Sequence, residues 1–600
     1  MSLPGVFSVV AVILGVSFLI FFHELGHFVF ARLTRVRVEV FSLGFGPRLF
    51  GYRRGPTDYR VSLLPLGGYV KLAGEAPGSG ATGAPDELAS KSVGARALIF
   101  SGGVVFNLLF AVLLFPVLFR VGVPFLRPVV GAVVPGGPAW LAGFEEGMVV
   151  LSVGEREIIA FEQIASEIAI SDPGPVRILV RDAAGKERVL EPEPIFDPQN
   201  GFRVIQIGPP VDPDRRIEVD RGGAGWDQGL RTGDRLVQVD GDSEDVLARL
   251  DEAMAEGRPV ELSVLGDEGD RRVTVTPRPR EEEKTYRIGI LPPTNRIKAV
   301  RGLAARRGLR PGDRILRAGR REVLEPSDLE EELRASQEPV SLTVGREGSS
   351  FEWVAPSGDE AERLLLDLAF EPDEETMRIV PLPSGPAMRA GVRRGEVVRS
   401  VNGRSVLTYP ELVEAVRAAR SEVVRLEVDR PGEVAPPLEI QPEARPQPEY
   451  GFGVRLSDYT YRTDDLVHAC VVGWRSSVEM IREFLGALRR IVARDMSAKT
   501  LSGIVSIVKF SYRFSEIAFT KFLFFLGILS LNLGLINVLP IPVLDGGHLL
   551  FLAIEKIKGS PVSERMLVLS QMVGLALIGG LILFVTWNDI RRWWPDFLPF

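Results

Sequence analysis

Apolar residues gather at the two ends of this 600-residue chain. Residues 1–22 carry no charged side chain, and Val6–Phe22 is dominated by Val, Ile, Leu and Phe. Ala97–Phe119, Phe522–Leu544 and Met566–Asn588 are each 23 residues without a charge. A helix of that length rises about 34 Å, enough to cross a hydrocarbon layer of ~30 Å. The pattern predicts four membrane-spanning helices. The first has no basic segment before its apolar run, so it is expected to be retained and not cleaved as a signal peptide.

Between the second and third spans the pattern changes to short alternating strands broken by glycine turns. One turn recurs: Ala142-Gly143-Phe144-Glu-Glu-Gly147, Gln228-Gly229-Leu230-Arg-Thr-Gly233, Arg307-Gly308-Leu309-Arg-Pro-Gly312 and Ala390-Gly391-Val392-Arg-Arg-Gly395. The first glycines stand 86, 79 and 83 residues apart, the size of a small domain. Pro135-Gly-Gly-Pro138-Ala139 and Ser384-Gly-Pro386-Ala387, the latter leading to Val401-Asn402-Gly403, resemble PDZ domains of the bacterial protease type. Apolar-Gly-apolar strands follow the first, second and fourth units, at Gln206-Ile207-Gly208, Ile288-Gly289-Ile290 and Phe452-Gly453-Val454. In PDZ domains such a strand binds a peptide C-terminus by strand addition. Its place after each unit suggests a circularly permuted order. The second and third units have eroded motifs and read as spacers. The neutral reading of every unit is a β-rich domain without a ligand.

The net charge of −7 excludes little, and no polybasic run or interleaved aromatic pattern points to nucleic acid. The single cysteine, Cys470, rules out an intramolecular disulfide and any CxxC metal site, and reads as an incidental thiol. Charge does set a topology. Arg32–Arg96 holds ten Lys/Arg against five Asp/Glu, which places it on the cytoplasmic side. The region up to about residue 515 is then exported, and the third span returns inward to end near Asp545. Residues 475–521 carry nine Lys/Arg and four Asp/Glu and are nonetheless placed outside, as long translocated regions escape the rule. Val478–Val492 alternates apolar and basic positions like a helix lying on a lipid surface.

The chemistry stands at the end of the first span, in His23-Glu24-Leu25-Gly26-His27. Positions i and i+4 of a helix share a face, so both imidazoles can hold one metal ion, and Glu24 can take a proton from water there. The chain has four histidines, and two of them fall at this spacing. A pair of histidines and a carboxylate buried without a metal would be expensive. The best third donor is Asp545, in Asn537-Val-Leu-Pro540-Ile-Pro542-Val-Leu-Asp545-Gly546-Gly547-His548. Two prolines and two glycines must break any helix here, and the topology places Asp545 at the same depth as the histidines. The plain alternative for Asp545 is a turn residue at the membrane boundary. His548 is left between an orienting and an incidental role. Asn537, Asn532 and Asn107 suit interhelical hydrogen bonds. Asn537 is also placed to hold a substrate backbone or an oxyanion. Gly102 and Gly103 read as sites of close helix packing.

With these motifs stand Phe41-Ser-Leu-Gly44-Phe45-Gly46-Pro47, Gly67-Gly68-Tyr69-Val70-Lys71-Leu72 and Gly103-Val-Val-Phe-Asn107. Together with HExxH and Asn537–His548 they resemble the site-2 proteases. The family has Pro where this chain has Val104 and Ile504, and the well-known relative has two PDZ domains where four units are counted here. The resemblance implies that His23, His27 and Asp545 bind Zn²⁺, that Glu24 activates water, and that Asn537 assists the substrate. It implies that Gly68, Tyr69, Val70, Lys71 and Leu72 guide an extended substrate strand. The implied activity is intramembrane hydrolysis of pre-trimmed single-span membrane proteins such as anti-sigma factors or signal-peptide remnants, in a bacterial inner membrane. Peptide C-termini or exported substrate parts would meet the PDZ-like units. The competing readings are a membrane-anchored PDZ scaffold with an inactive protease core, and a transporter.

The expected fold is a multi-domain membrane protein: an α-helical four-span core with a membrane-associated β-hairpin region and tandem PDZ-like domains. The expected divisions are a first span at 1–31, a cytoplasm-facing β region at 32–96 and a second span at 97–119. PDZ-like units are expected at 120–211, 212–293, 294–372 and 373–456. Amphipathic surface helices at 457–518, a third span at 519–545 and a fourth at 566–588 complete the chain.

Overall fold

The computed structural model describes residues 3–597 except 76–82, 199, 221, 267–268, 384, 421 and 431–435. Ser384 of the fourth glycine motif therefore lies outside the described residues. Among the described residues, four helices are long and apolar enough to cross a membrane: Ile13–Leu33, Gly102–Val121, Phe519–Val538 and Arg565–Arg591. They belong to α1 (Leu3–Leu33), α3 (Gly102–Val121), α6 (Phe519–Val538) and α8 (Glu564–Phe597).

Two apolar stretches are not single helices. The second breaks at Ser101, which separates α2 (Val93–Phe100) from α3. The third stops at Val538, because Pro540 and Pro542 cannot continue it, and Asp545 opens a separate helix, α7 (Asp545–Lys558). The helix expected at Val478–Val492 begins earlier: α4 spans Leu466–Val492. A shorter α5 (Ile504–Ile517) follows it.

Between α1 and α2, β1 (Val38–Arg54) and β2 (Thr57–Leu72) fold back on each other. Phe41 stands opposite both Tyr59 and Val70, and Leu43 opposite both Val61 and Gly68. Each strand thus bends into two limbs, and Gly68–Leu72 is an edge, paired with β1 on one side. Gly44 and Gly46, with φ of +90° and +88°, make the bend in β1. The bend exposes Phe45, Leu49, Phe50 and Leu64, an apolar tip suited to lipid.

Among the described residues the middle region has four large hydrophobic cores, nested and not laid end to end, and a small cluster of Trp140, Ala299 and Ala369 joins the first to the third. The first is contiguous: Val130, Phe144, Met148, Ile164 and Ile205 share one core, and Ile207–Gly208 pairs with Ala132–Val133. The second core takes Tyr450 and Phe452 from far downstream, and Phe452–Val454 pairs with Ile217–Val219. Ile288 and Ile290 pack in the fourth core, and Ile290–Leu291 pairs with Val380–Pro381. The third core, including Ile297, Ala304, Leu342 and Trp353, is inserted within the fourth. An antiparallel ribbon, Arg278–Arg287 with Glu443–Glu449, carries the chain out to this insertion and back. The ranges 212–293 and 373–456 are therefore not self-contained, and Ile288-Gly289-Ile290 does not close the second unit. Sequence order assigns Ile288-Gly289-Ile290 to the second unit, whereas the fold completes that unit with Phe452–Val454.

Helix α4 ties the first core to the membrane helices. A Cβ on Gly473 would come 2.5 Å from Pro116 of α3, and one on Gly486 would come 3.2 Å from Ile170 of the first unit. Arg156, buried, bonds Glu167 at 2.6 Å and reaches Glu479 and Glu483 of α4. Desolvation raises the Glu479 carboxyl above its ordinary range, with Arg156 opposing it.

Candidate metal centre

The i, i+4 spacing puts His23 and His27 on one face of α1, with ring centroids 4.9 Å apart and Nε2 atoms 3.3 Å apart. That face meets α3 at a crossing with no room for side chains. A Cβ on Gly26 would lie 2.1 Å from the Gly102 carbonyl oxygen, and one on Gly103 2.3 Å from His23 Cε1. Glycine at 26, 102 and 103 is thus a packing requirement, and the close approach lets α3 hold the imidazoles.

Each ring has a partner on the side away from the other. His27 Nδ1 donates to the Ile99 carbonyl at 2.8 Å, leaving Nε2 with its lone pair. His23 Nδ1 is 3.2 Å from Asn107 Nδ2, while Asn107 Oδ1 is buried without a hydrogen bond. With the amide turned over, Oδ1 accepts from His23 Nδ1–H and the His23 Nε2 lone pair faces Asp545. Asn107 does bond between helices, as its type suggested, and the group it bonds is a histidine of the motif.

Asp545 is brought to the histidines by the bend at Pro540–Leu544. Val543 there has φ of +96°, a strained conformation for a β-branched residue. Asp545 Oδ2 lies 3.4 Å from His23 Nε2 and 3.5 Å from His27 Nε2. It is buried and makes no hydrogen bond among the described residues. One ligand atom from each of the three lies within 4.8 Å of the others. A buried carboxylate oxygen without a hydrogen bond, facing two imidazole nitrogens, offers the kinds of donor that zinc takes. The three residues fit the ion.

A cavity of about 330 Å³ opens from this point, lined by Glu24, Val70, Glu75, Asn537, Val543 and His548 among others. Glu24 borders the β2 edge: a Cβ on Gly68 would come 3.3 Å from its Cγ, and the Val70 N–H faces its carboxylate. Asn537 Nδ2 is 3.4 Å from His23 Nε2. Val70 and Leu72 line the cavity. Tyr69 instead stacks on Phe45 and takes a hydrogen bond from Arg60, and Lys71 pairs with Glu39 at 2.8 Å. His548 stacks on Phe100 at 4.5 Å and stands outside the ligand group. Sequence reasoning missed Ile99, Glu75 and the ion pair of Arg96 with Glu555. A carbonyl has no sequence signature, and the ion pair spans 459 residues.

Two histidines and a carboxylate beside a glutamate, among apolar helices, suit the class of membrane-embedded zinc metalloproteases. The chain belongs to peptidase family M50, the site-2 proteases, whose family model matches residues 11–581. It is 27% identical over 603 residues to the regulator of sigma-E protease RseP of Escherichia coli, covering 97% of each chain. It is also 27% identical over 601 residues to the protease RseP of Yersinia pestis, covering 98% of each. This is a multi-pass membrane protein and a zinc-dependent protease acting on membrane-protein substrates.

Proposed function

We propose that this enzyme hydrolyses peptide bonds in or near the membrane segment of single-span proteins already shortened by another protease. Anti-sigma factors and signal-peptide remnants are the substrate classes in view. The observation that carries the reading is the convergence of His23, His27, Asp545 and Glu24 on one cavity beside an open strand edge. His23, His27 and Asp545 hold the ion. Zinc supplies a Lewis acid for the scissile carbonyl and acidifies water beside it. Glu24 takes the proton of the attacking water and passes it to the leaving amine. The Asn537 amide donates to the substrate carbonyl or the oxyanion. Helical backbone buries its carbonyls in its own hydrogen bonds, so a substrate must be unwound to react. Strand pairing along Gly68–Leu72 supplies that conformation.

The nested units are PDZ-like domains on the outer side of a bacterial inner membrane, where they limit access by bulky substrates. The third is a spacer: its helix Asp359–Leu366 packs against both Pro326–Ala335 and Leu368–Glu371, the elements that would border a peptide groove. Helix α4 exposes Val467, Val471, Trp474 and Val478, an apolar stripe for the outer lipid surface.

Co-expression of the wild type and Glu24→Gln with a tagged single-span reporter of shortened exported part tests the reading. Cleavage by the wild type alone, with zinc retained in both, supports it. Equal cleavage by both removes Glu24 from the chemistry. Cleavage by neither, with zinc loaded, returns the scaffold.

A further inference from the structure

We infer that Glu75 is a latch on the strand edge: its carboxylate holds the Leu72 N–H that an incoming substrate strand must take, and substrate pairing has to displace it. This rests on the reading of Gly68–Leu72 as the substrate-binding edge and adds a residue to it.

The register shows which way the donors point. Leu72 stands opposite Val38 of β1, and the next N–H, of Ala73, turns inward to the Arg37 carbonyl at 3.0 Å. Alternation along the strand turns the Leu72 N–H outward. Glu75 Oε2 accepts it at 3.0 Å. Two residues earlier on the same edge, the Val70 N–H faces Glu24. The edge thus has one outward donor bonded to a carboxylate, at Leu72, and runs beside a second carboxylate, that of Glu24, the residue assigned to the chemistry. Glu75 lines the same cavity as Glu24 and His27.

A peptide adding to this edge brings a carbonyl oxygen to each of these donors. At Leu72 it replaces a charge-assisted bond with a neutral one, which is weaker. That single exchange is uphill, so it proceeds only when the rest of the segment pairs as well. A segment that pairs at one or two residues leaves Glu75 in place, and one extended along the whole edge displaces it. The latch therefore selects substrates by how much of the segment near the scissile bond unwinds.

Steady-state cleavage of the reporter by the full-length, zinc-loaded enzyme in micelles tests this with Glu75→Ala and Glu75→Gln. The expected result for Glu75→Ala is a KM lowered about threefold to tenfold, with kcat within about twofold. Glu75→Gln falls between, since its amide oxygen accepts less strongly. A KM unchanged or raised in both overturns the latch. The edge itself is read separately in a Cys470→Ala, Lys71→Cys background, by disulfide trapping of reporters with single cysteines stepped through the cleavage region. Trapping that alternates with a period of two residues, and rises in yield with Glu75→Ala, supports both ideas. Alternation without that rise overturns the latch alone. No alternation in either background overturns the strand reading, and the latch with it.

Discussion

Removing the Glu555 carboxylate should weaken zinc binding from a distance. Arg96 lies on α2 and Glu555 on α7, joined in a fork: Nη1 to Oε2 at 3.1 Å and Nη2 to Oε1 at 2.5 Å. Their side chains are 17% and 14% exposed, so the pair is largely withdrawn from water. Three residues beyond Arg96, the Ile99 carbonyl fixes His27, and Phe100 stacks on His548. Asp545 is the first residue of α7. The ion pair therefore closes a bracket between the element that orients one candidate ligand and the element that carries another.

Breaking a fully buried pair by removing one partner costs ~3–5 kcal/mol, and the remaining exposure reduces this to about 2 kcal/mol. If that strain is relieved by letting α7 move away from α2, it appears as lost metal affinity of about thirtyfold. The assay is competition for zinc between purified Glu555→Ala and chelators of graded affinity, with reporter cleavage measured at saturating zinc. The affinity should fall, and cleavage should return as zinc is raised. The exchange Arg96→Glu with Glu555→Arg should regain part of the loss, because the fork is rebuilt with its sense reversed. Zinc affinity within about twofold of the wild type in Glu555→Ala would refute the bracket.

Further outcomes follow from the same geometry. Glu24→Gln should lower cleavage by about 10²–10⁴-fold while zinc content, measured by metal analysis, stays at the wild-type level. Asn107→Leu should weaken zinc about 10–100-fold by freeing the His23 ring, with Asn107→Asp retaining more of the affinity. Val543→Gly should raise thermal stability in detergent by about 1 kcal/mol through relief of its positive φ, yet lower kcat as Asp545 loses its fixed approach. Excising 294–372 with a short linker should leave the remaining cores protected from proteolysis. A fragment of the region between the second and third spans that ends at residue 293 should instead lose the second core, because Phe452–Val454 is absent.

What could be read from the sequence is what local spacing dictates. His23 and His27 share a face because four residues make about one turn, and no tertiary knowledge is needed for that. The break before Asp545 was equally legible, since proline has no N–H to give. The candidate third ligand was reachable by a longer step: charge bias set the topology, topology set depth, and depth put Asp545 beside the histidines. The groups that orient the candidate ligands were not legible. Ile99 acts through a carbonyl that every residue possesses, and Asn107 looks like any polar residue in a span. The nested cores stayed hidden for a related reason. A repeated turn motif marks where units recur but does not say which distant strand closes which sheet, and Phe452–Val454 carries the same apolar-Gly-apolar signal as Ile288–Ile290.

The order of elements along the chain has a consequence for assembly. The histidine pair comes first and Asp545 last, with the nested cores between them. The donors can meet only after the third span has returned across the bilayer. Until then His23 and His27 offer two nitrogens without the carboxylate, a weak site by ligand count alone. What aligns the two ends afterwards is short-range: the glycine crossing of α1 and α3, the Ile99 carbonyl, and the fork between Arg96 and Glu555. None of these contacts passes through the region between the second and third spans, so changes in its size or number of units should leave the candidate metal centre in place.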